Sequence, residues 1–124
     1  DNFKNINDEY GHLAGDKVLK CFADSLKCQV RKTDIVSRVG GEEFAIMLIN
    51  TNIKNGRAVA EKIRANIQDQ KFAIGNKEIN ITVSIGITQL DNKMGTYAES
   101  YKCADDALYR AKAAGKNRTK VLIK

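Results

Sequence analysis

Two adjacent carboxylates, Glu42 and Glu43, directly follow two adjacent glycines, Gly40 and Gly41, in the stretch Arg38-Val39-Gly40-Gly41-Glu42-Glu43-Phe44-Ala45-Ile46-Met47-Leu48-Ile49. Paired glycines suit a tight hairpin because they accept positive φ without a Cβ clash. They also leave backbone bare, so that a phosphate can approach where a side chain would block it. Two acids on a rigid hairpin beside such a backbone could hold a metal and a nucleotide together. A solvated turn accounts for the same residues equally well, and the two readings stay open on this stretch alone. Other chemistries have less to build on. His12 is the only histidine, which leaves no multi-histidine metal site and no His-centred triad. Cys21, Cys28 and Cys103 form no CxxC pair.

The elements that must position these residues can be read from periodicity. The spacing predicts a structured loop with about one helical turn over residues 1–15, which are rich in Asn, Asp and Gly. An amphipathic helix then starts at Asp16, a favourable first-turn acid, with Val18, Leu19, Phe22, Leu26 and Val30 on one face. Cys21 and Cys28, seven apart, share a helical face and read as packing residues. Ile35–Val39 and Phe44–Ile49 are the hairpin strands, the second apolar enough to be covered on both faces. A second helix is predicted over Ile53–Ile67, with Val59, Ala60, Ile63 and Ile67 buried. Phe72–Ile74 and Ile79–Thr88 flank a turn at Gly75-Asn76-Lys77, and Ile79, Ile81, Val83, Ile85 and Ile87 alternate strictly. A loop with Asp91, Asn92 and Gly95 leads to a third helix with Tyr97, Tyr101, Ala104, Leu108 and Ala111 as its stripe. Gly115 ends it as a C′ residue, and Val121–Ile123 is a last short strand. This order predicts one domain of mixed α/β (α+β) class: a ferredoxin-like sheet with flanking helices that lacks its first strand and first helix.

Bulk properties narrow the partner. The 124-residue chain carries a formal charge of +6, with 29% charged and 43% hydrophobic residues. No apolar run approaches the ~20 residues of a membrane span. The odd cysteine count without a metal-type spacing fits a reducing, cytoplasmic compartment. A basic balance favours a polyphosphate partner. Nucleic acid is disfavoured because aromatics are only 6% of the chain and show no stacking pattern.

Gly40-Gly41-Glu42-Glu43-Phe44 resembles the signature of the GGDEF family, the bacterial diguanylate cyclases, in its GGEEF form. Asp1-Asn2-Phe3-Lys4-Asn5-Ile6-Asn7-Asp8, Gly11-His12 and Gly15-Asp16 match the family's D-x-F-K-x-I-N-D-x-x-G-H-x-x-G-D block. Ser84-Ile85-Gly86 resembles its S-I-G strand. Ala107-Leu108-Tyr109-Arg110-Ala111-Lys112 with Gly115-Lys116-Asn117 resembles its closing A-L-Y-x-A-K-x-x-G-R-N block. The matches run in family order from one end of the chain to the other.

The resemblance implies a palm-type nucleotidyl cyclase that condenses two GTP into cyclic di-GMP with release of two pyrophosphate, using Mg²⁺ or Mn²⁺. It implies a homodimer in which each domain holds one GTP. By this resemblance Glu43 is a metal ligand, and Glu42 shares the metal or activates the 3′-hydroxyl. Gly40 and Gly41 make room for the nucleotide, Asn7 and Asp16 read guanine, and backbone N–H groups of Phe3 and Lys4 meet phosphate. Caps around a helix start would explain Asn7 and Asp16 without a ligand. Lys112 and Lys116, four apart and so on one helical face, hold the β- and γ-phosphates; Lys116 stands where the family usually has Arg and lacks its bidentate fork. His12 reads as structural. Arg31 and Asp34, with Lys62 where the family usually has Arg, fall at its product-inhibition site, which implies feedback by cyclic di-GMP.

The family's metal site also uses the first Asp of a D-x-D pair, and Asp1 aligns with the second. Its partner is expected upstream with the opening helix and most of the first strand, so the 124-residue segment alone is expected to be unstable and inactive. A sensory or receiver domain is expected N-terminal to it, and upstream segments could anchor the full protein to a membrane. Competing readings are a catalytically silent GGDEF module that binds GTP or cyclic di-GMP, and a small basic nucleic-acid-binding domain.

Overall fold

The computed structural model describes residues 1, 3–90 and 97–122, and they fall into two compact units. One unit comprises Asn2–Asn50 and Ile67–Ile81; the other comprises Asp1, Thr51–Asn66 and Thr82–Lys124. Among the described residues no helix is long and apolar enough to cross a membrane.

The first unit begins with helix α1, Phe3–Tyr10, where a loop with one turn was predicted. Asn and Asp favour turns locally, but Phe3, Ile6 and Tyr10 recur in steps of three and four, and Ile6 is buried. Gly11 breaks the rod with φ +88°, and α2 runs from His12 to Gln29. Asp16 therefore lies inside α2 and is not its cap. Val18, Leu19, Phe22 and Leu26 form the buried stripe as predicted, but Val30, placed on the same face, is the extended C-cap after Gln29 and only half-buried. Cys21 and Cys28 are exposed and lie off the packing face they were expected to share. Seven residues bring two side chains back to one face without saying which face.

Strands β1, Ile35–Gly40, and β2, Glu43–Met47, pair antiparallel, with Arg38 opposite Phe44 and Gly40 opposite Glu43. The register shifts between Arg38 and Gly40, a bulge at the end of β1. The apolar run of β2 is half-buried along its length, less covered than predicted. Ring centroids of Phe22 and Phe44 lie 5.3 Å apart, tilted by 59°, which seats the hairpin on α2. β3, Lys71–Ile74, and β4, Lys77–Asn80, form a second hairpin around Gly75.

In the other unit the long alternating strand predicted over Ile79–Thr88 does not persist. Its latter part is only β5, Ile85–Ile87, which pairs in parallel with β6, Thr119–Val121. β6 begins two residues earlier than predicted, and Ile123 lies outside the described residues, as do Asp91, Asn92 and Gly95. Helix α3 spans Ile53–Asp69, its residues from Ile67 on counted in the first unit; Ala60, Ile63 and Ile67 are buried as predicted and Val59 is half-buried. Helix α4 spans Tyr97–Ala113, but its buried residues are Ser100, Cys103, Ala107 and Ala111. Of the predicted stripe Ala111 is buried and Ala104 and Leu108 are half-buried, but Tyr101 is exposed; at Gly86 of β5 the backbone of Ala104 and Leu108 comes close. The ladders are three two-stranded pairs among the described residues, with no ladder joining one pair to another.

Candidate nucleotide site

The hairpin gives the two acids different settings. Gly41 and Glu42 form the turn and Glu43 opens β2. Gly41 has φ +52°, which supplies the requirement for glycine at that position. Gly40 has no such φ, and a Cβ there would meet nothing within 4 Å. Its own chain gives Gly40 no reason to be glycine. Arg38 Nε donates to the Gly41 carbonyl at 2.8 Å and braces the turn from within the hairpin. Glu42 and Glu43 are exposed, and neither makes an ion pair or side-chain hydrogen bond among the described residues. They are uncommitted hard-oxygen donors. No cluster of three or more His, Cys, Asp or Glu side chains placed to hold a metal occurs among the described residues.

Beside the hairpin, Asp16, Leu19, Lys20, Ala23 and Lys27 of α2 face Val36, Ser37, Arg38 and Phe44 across a groove of about 370 Å³. One carboxylate and three cations on a partly apolar floor suit a flat polar ring linked to an anion. At the α1–α2 junction, Asn7 Oδ1 is buried without a hydrogen-bond partner among the described residues. It rests over Gly15, next in sequence to Asp16, where a Cβ would collide with it and come within 3.3 Å of the Phe3 ring. An unpaired buried acceptor costs about 1–3 kcal/mol, so a donor brought by a ligand would be rewarded there. Phe3 and Lys4 open α1, so their N–H groups precede any intrahelical partner.

Gly15→Ala is accordingly expected to displace the Asn7 amide and weaken binding of a guanine nucleotide by about tenfold. Titration of Gly15→Ala, Asn7→Ala and the double variant checks this. The double should lose no more than Asn7→Ala alone.

Lys112 and Lys116 belong to the other unit. They were predicted to share a helical face, but α4 stops at Ala113 and only Lys112 is helical. Lys116 N–H bonds the Ala111 carbonyl at 3.0 Å and Gly115 N–H the Lys112 carbonyl at 3.3 Å, with Gly115 at φ +123°. This is a Schellman ending, so Gly115 is the C′ residue as predicted and Lys116 leaves the helix in a left-handed conformation.

Arg31 and Asp34 are already engaged with each other. Asp34 accepts from the N–H groups of Ile49 and Arg31, both at 3.0 Å, and its Oδ1 lies 3.3 Å from Arg31 Nη2. The Ile49 hydrogen bond, then the contacts with Arg31, hold the Asp34 carboxyl below the ordinary aspartate range, against desolvation. A lowered folded-state pKa means stability that is present above the unfolded value, about 4, and lost as pH falls through the folded one. Melting of Asp34→Asn against the parent should therefore differ most near neutral pH, and the two curves should converge in acid. Lys62 is exposed on α3, in the other unit.

The family model described as "Diguanylate cyclase, GGDEF domain" matches residues 1–118. The chain belongs to the GGDEF family. It is 45% identical over 121 residues to diguanylate cyclase DgcP of Pseudomonas aeruginosa, which covers 98% of this chain and 18% of that protein. The chain thus spans about a fifth of that relative's length. Among solved structures it is similar to the active GGEEF domain of a diguanylate cyclase from Vibrio cholerae, with TM-score 0.88 and 36% identity over 100% of this chain and 78% of that one. The GGDEF domain of DgcB from Caulobacter crescentus, solved in complex with c-di-GMP, superposes with TM-score 0.90 at 29% identity, covering 98% of this chain and 72% of that one. These likenesses bear out the mixed helix–strand fold and the family membership read from the motifs.

Sequence reasoning assigned no role to Arg38, Arg64, Ser84 or Asn117. Arg38 carried a signal, a cation in a strand next to a Gly-Gly turn. Asn117 carried another, a residue tolerant of left-handed backbone just after Gly-Lys.

Proposed function

We propose that this GGDEF domain is the catalytic half-site of a diguanylate cyclase, acting on GTP as part of a larger protein and as one member of a homodimer. The observation that carries the reading is the uncommitted Glu42–Glu43 pair on a turn whose Gly40 has no conformational or packing reason to be glycine. Hard carboxylate oxygens suit Mg²⁺ or Mn²⁺, which take one or two carboxylates and complete their shell with phosphate oxygens and water. Glu43, with Glu42, would hold the metal, which when bound neutralises triphosphate charge and favours in-line displacement at phosphorus.

The chain's own groups do the rest. Asp16 and Asn7 accept from the guanine N1–H and N2 amino groups, donors that adenine lacks at those positions. The Phe3 and Lys4 N–H groups and the Lys112 and Lys116 ammonium groups hold the phosphates. The 3′-oxygen of one GTP bonds to the α-phosphorus of the other as the bond to the β-phosphate oxygen breaks, releasing pyrophosphate. Glu42 takes the 3′-hydroxyl proton or shares the metal. Two such steps close cyclic di-GMP.

Product feedback belongs to the same proposal. Arg31, oriented by Asp34, would address guanine O6 and N7, with Lys62 as a further cation. Insensitivity of the active protein to micromolar cyclic di-GMP would count against it. A GTP-consuming reaction and the three free thiols favour the cytoplasm. Regulatory domains elsewhere in the protein would set dimerisation.

Incubating the protein with GTP and Mg²⁺ and separating the nucleotides by chromatography tests the central reading. Cyclic di-GMP is the expected product. Tight GTP or cyclic di-GMP binding without turnover would instead favour a silent regulatory module.

A further inference from the structure

Lys116 and Asn117 follow one another with φ of +64° and +47°. Left-handed backbone is uncommon for residues with a Cβ, and two in succession need holding. The Lys116 N–H is fixed by the helix ending, and its carbonyl accepts from Arg118 Nε at 3.0 Å. The Asn117 N–H donates to Asp1 Oδ2 at 3.1 Å and lies 3.2 Å from Ser84 Oγ. Asp1 accepts further from Ser84 Oγ at 2.7 Å and Thr82 Oγ1 at 2.9 Å. On the other side Asn117 Oδ1 accepts from Arg64 Nη1 at 3.0 Å, and Arg64 is itself held by Glu61 at 3.1 Å. Ser84 is buried, and every member of this network lies in one compact unit. The start of the chain, the approach to β5 and helix α3 all converge on one dipeptide.

We propose that Asp1, Ser84 and Arg64 are positioning residues that lock the Lys116–Asn117 turn and thereby place the Lys116 ammonium for a nucleoside triphosphate. This rests on the reading of Lys116 as a phosphate contact. A lysine offers a single flexible point charge, so the direction of its stem has to be set by the backbone that carries it. The network fixes that backbone on both sides of the Lys116 side chain, at its own peptide groups and at the next residue.

Asp1→Asn keeps the size of the side chain but offers one oxygen to three donors, the Thr82 and Ser84 hydroxyls and the Asn117 N–H. Its amino group must then face at least one of them. Calorimetric titration in magnesium buffer with GTP and with GMP reads the consequence. Asp1→Asn is expected to weaken GTP about tenfold and GMP less than about twofold, and to add nothing on top of Lys116→Ala. Equal losses for GTP and GMP, or full additivity with Lys116→Ala, would overturn the proposal. Ser84→Ala, a milder change that removes one hydroxyl, should show the same GTP-selective loss at about threefold; no loss from it would also count against the proposal.

Hydrogen exchange at the Asn117 amide reads the lock without nucleotide. It should accelerate at least about tenfold in Asp1→Asn, and unchanged exchange would overturn the lock by itself. GTP binding no tighter than GMP in the parent protein would instead sink the phosphate-site reading, while the Asn117 amide continued to report on the lock.

Discussion

Glu43→Gln is expected to lower formation of cyclic di-GMP by about a thousandfold or more while leaving the melting temperature within about 1 °C of the parent. The two halves of this expectation have separate causes. Glu43 is exposed at the first position of β2 and has no ion pair or side-chain hydrogen bond among the described residues, so folding has little to lose from its charge. The proposed chemistry has much to lose, because a neutral amide is a poor ligand for a hard divalent ion and cannot replace a carboxylate at a polyphosphate. Glu42→Gln should fall in the same direction, since the neighbouring turn acid shares the metal or takes the 3′-hydroxyl proton. Chromatographic assay of both variants beside thermal melts makes the comparison. Normal cyclic di-GMP output from both would remove the hairpin from the mechanism. A large fall in melting temperature would return its acids to the solvated-turn reading.

What could be read in advance tracked where one local rule dominated. The hairpin, the α2 stripe through Val18, Leu19, Phe22 and Leu26, and the Gly115 helix ending each follow from a single short-range preference and appear as predicted, except that the turn is Gly41–Glu42 and Gly40 is the last residue of β1. The failures share a different origin. Helix α1 was masked by Asn and Asp, whose preference for turns is outweighed here by the packing of Phe3 and Ile6. The α4 stripe was drawn through Tyr101 as well as Ala111, yet Tyr101 is exposed and the buried face is made of the small Ser100, Cys103, Ala107 and Ala111. Cys21 and Cys28 showed that a shared face is legible while its direction is not. The site divides in the same way. The motifs name Asn7, Asp16, Glu42, Glu43, Lys112 and Lys116, and the Gly115 ending already places Lys116 beyond α4, but nothing in their spacing shows that Asp1 and Ser84 hold the residue after it. The contacts of Asn117 with Asp1 and Ser84 span 116 and 33 positions, which no local pattern records.

Gly86→Ala is expected to be the most destabilising single-methyl change among these glycines, costing about 2–3 kcal/mol and lowering the melting temperature by about 10 °C. The added Cβ would run into backbone of α4, meeting the Ala104 carbonyl oxygen and the Leu108 nitrogen, with Leu108 Cα at 2.8 Å. Backbone cannot rotate aside as a side-chain tip can, so α4 must move bodily off β5. Its buried Ala107 and Ala111 would then lose the close approach that small residues permit. Gly40→Ala provides the contrast. With nothing within 4 Å of its Cβ and no positive φ, it should melt like the parent. If Gly40 is bare so that a nucleotide can approach, the same silent methyl should weaken GTP binding by about tenfold. Melting and titration of the two variants together therefore separate a glycine that serves packing from one that serves a ligand. A Gly40→Ala protein that binds GTP as tightly as the parent would show that the Gly-Gly pair is needed only for the turn at Gly41.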